Sequence, residues 1–214
     1  MGNALKKKRK LAPAEAHLAN VCPGMAAWVI RHDPFPGEFE RAKDPYRALI
    51  RAVTFQQLSG KAATTIYNRL IALFPKPHPT PEALLAASDE KLRSAGLSRQ
   101  KIAAIRDIAQ KRLDGVIPHA RALTRLPDEE IIARLTAARG VGRWTVEMYL
   151  MFSLGRPDVL PIDDLGVRKG AEKMLKRSLT PKELGEYGAR WSPYRTAAAW
   201  HCWRAADTVT MEDA

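Results

Sequence analysis

The sequence predicts an all-α protein of about ten short helices. Three observations carry that prediction. Apolar residues recur at three- and four-residue spacing along most of the chain. No segment shows the sustained two-residue alternation of a half-buried strand. The joints between the helical patterns are rich in residues that cap or break helices. Hydrophobic residues make up 46% of the 214, enough to build a sizeable core in one large domain or two small lobes.

Taken in order, the chain opens on Lys6-Lys7-Lys8-Arg9-Lys10. No apolar stretch follows these cations, so they do not form a secretory signal, and residues 1–12 read as a disordered, solvated basic tail. Tyr46, Leu49, Ile50 and Val53 share one helical face. Ser59-Gly60 interrupts that pattern, and Ala62, Ala63, Ile66, Leu70 and Leu73 resume it. Pro75, Pro77, Pro79 and Pro81 make a stiff connector. Ser98 can cap a helix bearing Ile102, Ile105 and Ile108, and Asp128 one bearing Ile131, Ile132 and Leu135. Val146 to Leu154 is apolar nearly all round, as expected of a buried helix. Asp163-Asp164 open a helix with Val167, Ala171, Met174 and Leu175. Thr180-Pro181-Lys182-Glu183 reads as a capping box with proline at the first helical position, and Ser192-Pro193 opens a last helix carrying Tyr194, Trp200 and Trp203.

Lys plus Arg outnumber Asp plus Glu by 35 to 23, a net charge of +12. Clustered cations favour a polyanion, and nucleic acid ranks ahead of an anionic membrane surface. No apolar run approaches the roughly 20 residues of a membrane span. The two cysteines, Cys22 and Cys202, exclude a four-cysteine zinc or iron–sulfur site and argue against a disulfide scaffold, which fits a reducing cytoplasm.

Two stretches suggest chemistry. Leu135 to Val146 reads LTAARGVGRWTV, with two glycines flanking one apolar residue between two helical patterns. Such a turn lets the backbone approach a ligand closely, and the free N–H groups of the following helix form a seat for phosphate. Val141 would pin the loop to the core, and Arg143 adds a cation beside it. An ordinary helix–turn–helix with a glycine cap has the same pattern. In the second stretch, one of Asp163 and Asp164 suffices as a helix cap, which leaves a carboxylate near the positive helix end. An ionised, rigidly held carboxylate can stabilise an oxocarbenium ion and orient water. A cationic alkylated base leaves without protonation, so one carboxylate is enough.

GVGRWTVEMYLMFSLGRPDVLPIDDLGVRKG, Gly140 to Gly170, resembles the hairpin and catalytic-aspartate signature of the 3-methyladenine DNA glycosylase II family, within the helix-hairpin-helix GPD superfamily. The resemblance continues at Arg51-Ala52-Val53-Thr54-Phe55-Gln56-Gln57-Leu58-Ser59 and from Arg190 through Trp203. It implies two helical lobes with an active-site cleft between them: a central lobe of about 46–160, and a second lobe of 13–45 plus 161–214. The β-rich N-terminal domain of the long bacterial enzymes is not expected here. By resemblance the catalytic carboxylate is Asp164, and the DNA-gripping hairpin runs from Ala138 and Arg139 through Gly140, Val141, Gly142 and Arg143 to Trp144. Trp144, Trp203, Met148 and Phe55 line the base pocket, where an indole face suits a cationic alkylpurine by cation–π attraction of about 0.5–2 kcal/mol. Trp191 and Trp200 read as core aromatics. The turn at Gln57, Leu58 and Ser59 carries the side chain that fills the hole left by a flipped nucleotide. Backbone carbonyls of Thr136, Ala138 and Val141 could hold a Na+ or K+ ion bridging to phosphate; no other cofactor is expected, and no iron–sulfur cluster. Trp144 stands where glycosylase/lyases carry a Schiff-base lysine, so no lyase activity is expected.

The expected function is therefore a monofunctional glycosylase releasing 3-methyladenine and 7-methylguanine, with 1-methyladenine as a further candidate, from duplex DNA, working in the cytoplasm (on the nucleoid in a bacterium) as a monomer with no membrane or obligate protein partner. The alternatives are a glycosylase for mismatched or oxidised bases and a non-catalytic helix-hairpin-helix DNA-binding module, which would need Gly140 and Gly142 but not Asp164.

Overall fold

A computed structural model describes residues 10–37, 44–76 and 78–207. The basic run from Lys6 to Arg9 and Pro77 of the proline connector lie outside them. Among the described residues there are thirteen α-helices, one 3-10 turn and no strand. In chain order the helices are α1 (Pro13–Val21), α2 (Pro23–Val29), α3 (Pro45–Phe55), α4 (Gly60–Ala72), α5 (Pro81–Ala86), α6 (Asp89–Ser94), α7 (Arg99–Leu113), α8 (Ala120–Leu123), α9 (Asp128–Thr136), α10 (Arg143–Phe152), α11 (Leu165–Leu175), α12 (Pro181–Gly188) and α13 (Arg195–Asp207). The count exceeds ten because α5, α6 and α8 have six residues or fewer, too short for a 3.6-residue period to register. None of these helices is long and apolar enough to cross a membrane.

The chain divides into two units, Glu40–Gly155 and Met1–Phe39 with Arg156–Ala214. In the unit from Glu40 to Gly155, α3 packs against α4, α7 and α10, and α9 packs against α10. Its core takes Leu49, Ile50 and Val53 from α3, Ile102, Ile105 and Ile108 from α7, and Ile131 and Leu135 from α9. Each side chain of that size contributes about 1.5–3 kcal/mol on burial. Asp44, Thr80, Ser88 and Ser98 cap α3, α5, α6 and α7 with side-chain oxygens 2.9–3.3 Å from backbone N–H groups. Asp128 does not act as the cap of α9. The N-cap is Pro127, in extended conformation, and Asp128, Glu129 and Glu130 fill the first turn, where the helix dipole favours them. The buried helix, α10, is not wholly apolar: Glu147 is buried within it, in an ion pair with Arg143 at 3.0 Å.

The other unit is organised by α11 against α13. A Cβ placed on Gly170 of α11 would stand 1.7 Å from the carbonyl oxygen of Cys202 on α13, so the two backbones meet where only glycine fits. Trp28, Val29 and Ala205 form a satellite core, with Leu11, Ala19 and Met174 packed against it. Thr180 and Glu183 form the expected capping box of α12. The last helix begins at Arg195, not at Ser192, and Tyr194 precedes it. Its start is fixed from a distance: Asp158 accepts from the Arg195 N–H (3.1 Å), from the Arg195 guanidinium (2.8 and 3.0 Å) and from the Ser192 hydroxyl (2.8 Å). Burial works against ionisation of Asp158, but these bonds outweigh it and hold the carboxyl below its ordinary range. Trp191 is wholly buried and Trp200 half-buried.

Candidate functional site

Each unit carries its own set of functional groups. In the unit of Met1–Phe39 with Arg156–Ala214, Asp164 is the N-cap of α11. Its Oδ1 accepts from the Val167 N–H at 2.8 Å and from the Trp203 indole Nε1–H at 2.8 Å. The carboxylate that caps α11 is thus the one the resemblance marks as catalytic: Asp163 is exposed, and Asp164 is the cap. Both of these donors fall on one oxygen, so the cap and the indole fix the same end of the carboxylate. The N-terminal end of α11 adds its positive dipole. Trp203 reaches Asp164 because α11 has no side chain in the way: a Cβ on Gly166 would lie 2.8 Å from the indole Cδ1. The sequence places Trp203 on the last helix; its hydrogen bond to Asp164 has no signature in the spacing of the two residues, 39 apart.

In the unit from Glu40 to Gly155, the glycine turn joins α9 to α10. Gly140 has φ +75°, the left-handed region, and a Cβ there would stand 3.2 Å from that of Ala104. Gly142 has φ −90° and is the N-cap of α10, with open space where its Cβ would be. The first glycine is thus needed for backbone conformation, and the second leaves the helix N-terminus uncovered. Val141 is buried and donates its N–H to the Ala138 carbonyl at 3.1 Å. Arg139 is exposed, and its N–H donates to Asp107 Oδ2 at 2.7 Å.

Arg143, the cation expected beside the loop, is paired with two carboxylates. Its guanidinium donates to both carboxylate oxygens of Glu129, one at 3.0 Å, and through Nε to Glu147 at 3.0 Å. The bonds to Glu129 push its pKa above an already high value. Glu147, one helical turn on, was open to sequence reasoning; Glu129, on the preceding helix, was not.

The turn between α3 and α4 holds Gln57, Leu58 and Ser59, all exposed. Gln57 has φ +55°, unusual for a residue with a side chain, and Leu58 is 39% exposed despite being apolar. Three residues that the sequence did not single out as structural partners tie down this turn or the hairpin. Gln56 donates through Nε2 to the Gly140 carbonyl at 2.9 Å. Lys101 donates through Nζ to the carbonyls of Thr54 (2.7 Å) and Gln56 (2.9 Å). Asp107 holds the hairpin as described.

Of the expected pocket residues in this unit, Met148 lines a cavity of about 390 Å³ with Arg51, Ala52, Thr145 and Tyr149. Phe55 and Trp144 lie outside that lining. Phe55 packs edge-on to Tyr67, with the Arg51 guanidinium 4.0 Å from its ring centre. Trp144 is 47% exposed in the first turn of α10. Among the described residues no cluster of three or more His, Cys, Asp or Glu side chains could hold a metal ion.

An all-α chain with a glycine hairpin ahead of a helix N-terminus, and an aspartate capping a later helix, has the architecture of a base-excision repair protein. The family model described as HhH-GPD superfamily base excision DNA repair protein matches residues 50–193, and the chain belongs to that superfamily. The chain is 41% identical over 174 residues to DNA-3-methyladenine glycosylase 1 of Schizosaccharomyces pombe, covering 80% of this chain and 76% of that protein. Among solved structures it is similar to the 3-methyladenine DNA glycosylase of the same yeast in complex with abasic DNA, with a TM-score of 0.79 and 38% identity over 90% of this chain and 96% of that one. It is also similar to the DNA-3-methyladenine glycosidase of Bacillus halodurans, with a TM-score of 0.82 and 34% identity over 92% and 90%.

Proposed function

We propose that this protein is a monofunctional DNA glycosylase that hydrolyses the N-glycosidic bond of alkylated bases in duplex DNA and leaves an abasic site. The observation that carries the reading is Asp164: a carboxylate fixed through one oxygen by a helix N–H and an indole N–H, in a chain whose relatives are 3-methyladenine glycosylases. An alkylated purine such as 3-methyladenine or 7-methylguanine carries a positive charge. When its C1′–N bond breaks, the electron pair neutralises the base, and no general acid is required. The sugar becomes an oxocarbenium ion, which Asp164 stabilises; Asp164 then orients water toward C1′ and takes up its proton. The indole of Trp203, tied to the same carboxylate, favours a cationic base over a neutral one.

Trp144 in place of a Schiff-base lysine supports hydrolysis without strand cleavage. Lys101, the lysine nearest the turn and hairpin on α7, is engaged with two backbone carbonyls and serves as a donor. The hairpin grips the phosphate backbone through the N–H groups that open α10. The carbonyls of Thr136, Ala138 and Val141 suit a hard alkali cation: they are uncharged oxygens at the negative end of α9, and the bond from Val141 to the Ala138 carbonyl leaves that oxygen a second lone pair. Na+ or K+ held by those carbonyls would supply positive charge at the hairpin for a DNA phosphate. Met148, a flexible thioether in the cavity wall, suits several alkylpurines, including 1-methyladenine. One carboxylate and one hairpin per chain suffice, so the enzyme acts as a monomer on DNA in the cytoplasm.

The deciding assay is release of free base from duplex DNA methylated in vitro. The wild-type protein is expected to release 3-methyladenine and 7-methylguanine without nicking the strand. No release of any methylated base sinks the reading, release of only mismatched or oxidised bases replaces it, and rapid cleavage at the abasic product overturns the monofunctional assignment.

A further inference from the structure

One face of α7 touches both parts of its unit that would handle DNA. Lys101, Ala104 and Asp107 are three residues apart and share that face. Lys101 is bonded to the carbonyls of Thr54 and Gln56, at the end of α3, where the Gln57-Leu58-Ser59 turn begins. Ala104 packs under Gly140. Asp107 accepts the Arg139 N–H and is itself held by Lys111 at 2.7 Å. Gln56 closes the circuit directly, from its side-chain amide to the Gly140 carbonyl. The turn and the hairpin are 84 residues apart at that bond, yet both are fixed to one rigid helix. Each hydrogen bond to the turn or the hairpin joins a side chain to a main-chain group, so what is held is backbone position. The turn needs such help, since Gln57 at φ +55° is a conformation that its surroundings must impose.

We propose that Lys101 and Gln56 are positioning residues that lock the wedge turn at a fixed distance from the phosphate-gripping hairpin, so that the side chain replacing a flipped base enters beside the phosphate the hairpin holds. This rests on the glycosylase reading above. The wedge matters only when a base must be drawn out of a pair, because a wedge replaces lost stacking and pairing. A loose wedge therefore slows excision of a paired lesion and spares excision of one that is already unpaired.

The test uses single-turnover release of 7-methylguanine from two duplexes, one with the lesion opposite cytosine and one with it opposite a synthetic abasic site. Lys101→Met and Gln56→Ala are compared with wild type, and Lys101→Arg serves as the conservative variant. Each Met or Ala variant is expected to lose about tenfold or more on the paired lesion and less than about twofold on the unpaired one, with affinity for undamaged duplex nearly unchanged. Lys101→Arg is expected to recover most of the loss. An equal loss on both duplexes, or no loss on either, overturns the proposal. Gln56→Ala keeps the test valid if Lys101→Met does not fold, because Gln56 lies at a partly exposed helix end. If wild type releases no base from either duplex, the glycosylase reading itself has failed, which is distinct from a failure of the brace.

Discussion

The two functional sets are held by opposite means. Around the hairpin, backbone is fixed by long polar side chains: Lys101, Gln56 and Asp107 each reach a carbonyl or N–H. Around the carboxylate, the fixing is steric: α11 and α13 meet at glycine, and that contact delivers the Trp203 N–H to Asp164. A polar brace loses one link when one side chain is cut. Close-packed helices cannot admit one extra methyl group. The difference suits the tasks. On the proposed function, a hairpin that grips many DNA sequences would tolerate small adjustments, whereas a carboxylate beneath a developing cation would have to stay within fractions of an ångström.

The comparison breaks first at Asp164 if the chemistry is misassigned. Asp164→Asn keeps an oxygen to cap α11 and removes the charge, so kcat for release of methylated bases is expected to fall about a thousandfold or more. Binding to undamaged duplex, followed by fluorescence anisotropy, is expected to stay within a few-fold. A retained rate would move the chemistry elsewhere. Next is Gly170→Ala, which places a methyl group against the Cys202 carbonyl, a backbone atom that cannot rotate away. Calorimetry is expected to show a loss of about 3–5 kcal/mol, lowering Tm by about 10 °C. Unchanged stability would mean that α11 and α13 are not locked as described.

A smaller effect is expected for Trp203→Phe, which keeps an aromatic face and deletes the donor to Oδ1. A hydrogen bond to a charged group contributes about 1.5–3 kcal/mol, so kcat is expected to drop about tenfold or more, with KM nearly constant. If KM rises and kcat holds, Trp203 serves the base and not the carboxylate.

How much of this was legible in the sequence follows from the range of each interaction. The helices with a clear apolar face, α3, α7 and α9, were readable because periodicity is local. So were the Ser98 cap and the Thr180–Glu183 box, which span three residues. The hairpin and Asp164 stood out because glycine and paired aspartates are informative residue types. The dual role of Asp164 was hidden: the spacing offered two carboxylates, and nothing in it said that the cap and the indole would choose the same one. The Arg143–Glu129 pair and the α7 brace were hidden for another reason. Their partners are brought together by packing, and for Lys101, Gln56 and Asp107 the partner is main chain, which carries no residue-type signal.

Arg143 sharpens the contrast within the hairpin. Arg143 is paired with two carboxylates, which offset its charge, whereas Arg139 is exposed. Arg143→Met is expected to lower stability by about 1–3 kcal/mol, since the buried Glu147 carboxylate loses this ion pair. The slope of log affinity against log salt is expected to stay the same. Arg139→Met should do the reverse, reducing that slope by about one unit with little change in stability. Salt titrations of the two variants separate these outcomes, and a reduced slope for Arg143→Met would return it to the DNA surface.

The smallest expected effect on the fold is at Gly142. An alanine there has room, and φ −90° is ordinary for it. Alanine is a poorer N-cap than glycine by some tenths of a kcal/mol, and the gain from restricting the unfolded chain is of similar size, so stability should change by less than about 0.5 kcal/mol. DNA affinity should nonetheless fall several-fold, because the new methyl takes up open space at the start of α10 through which a phosphate would approach. Gly140→Ala is its counterpart: φ +75° and the 3.2 Å contact with Ala104 make it costly to the fold by about 1–2 kcal/mol. If Gly142→Ala leaves both stability and affinity untouched, the phosphate does not sit at the start of α10. The hairpin would then be a structural turn, and the grip on DNA would have to be sought along the α3–α4 turn instead.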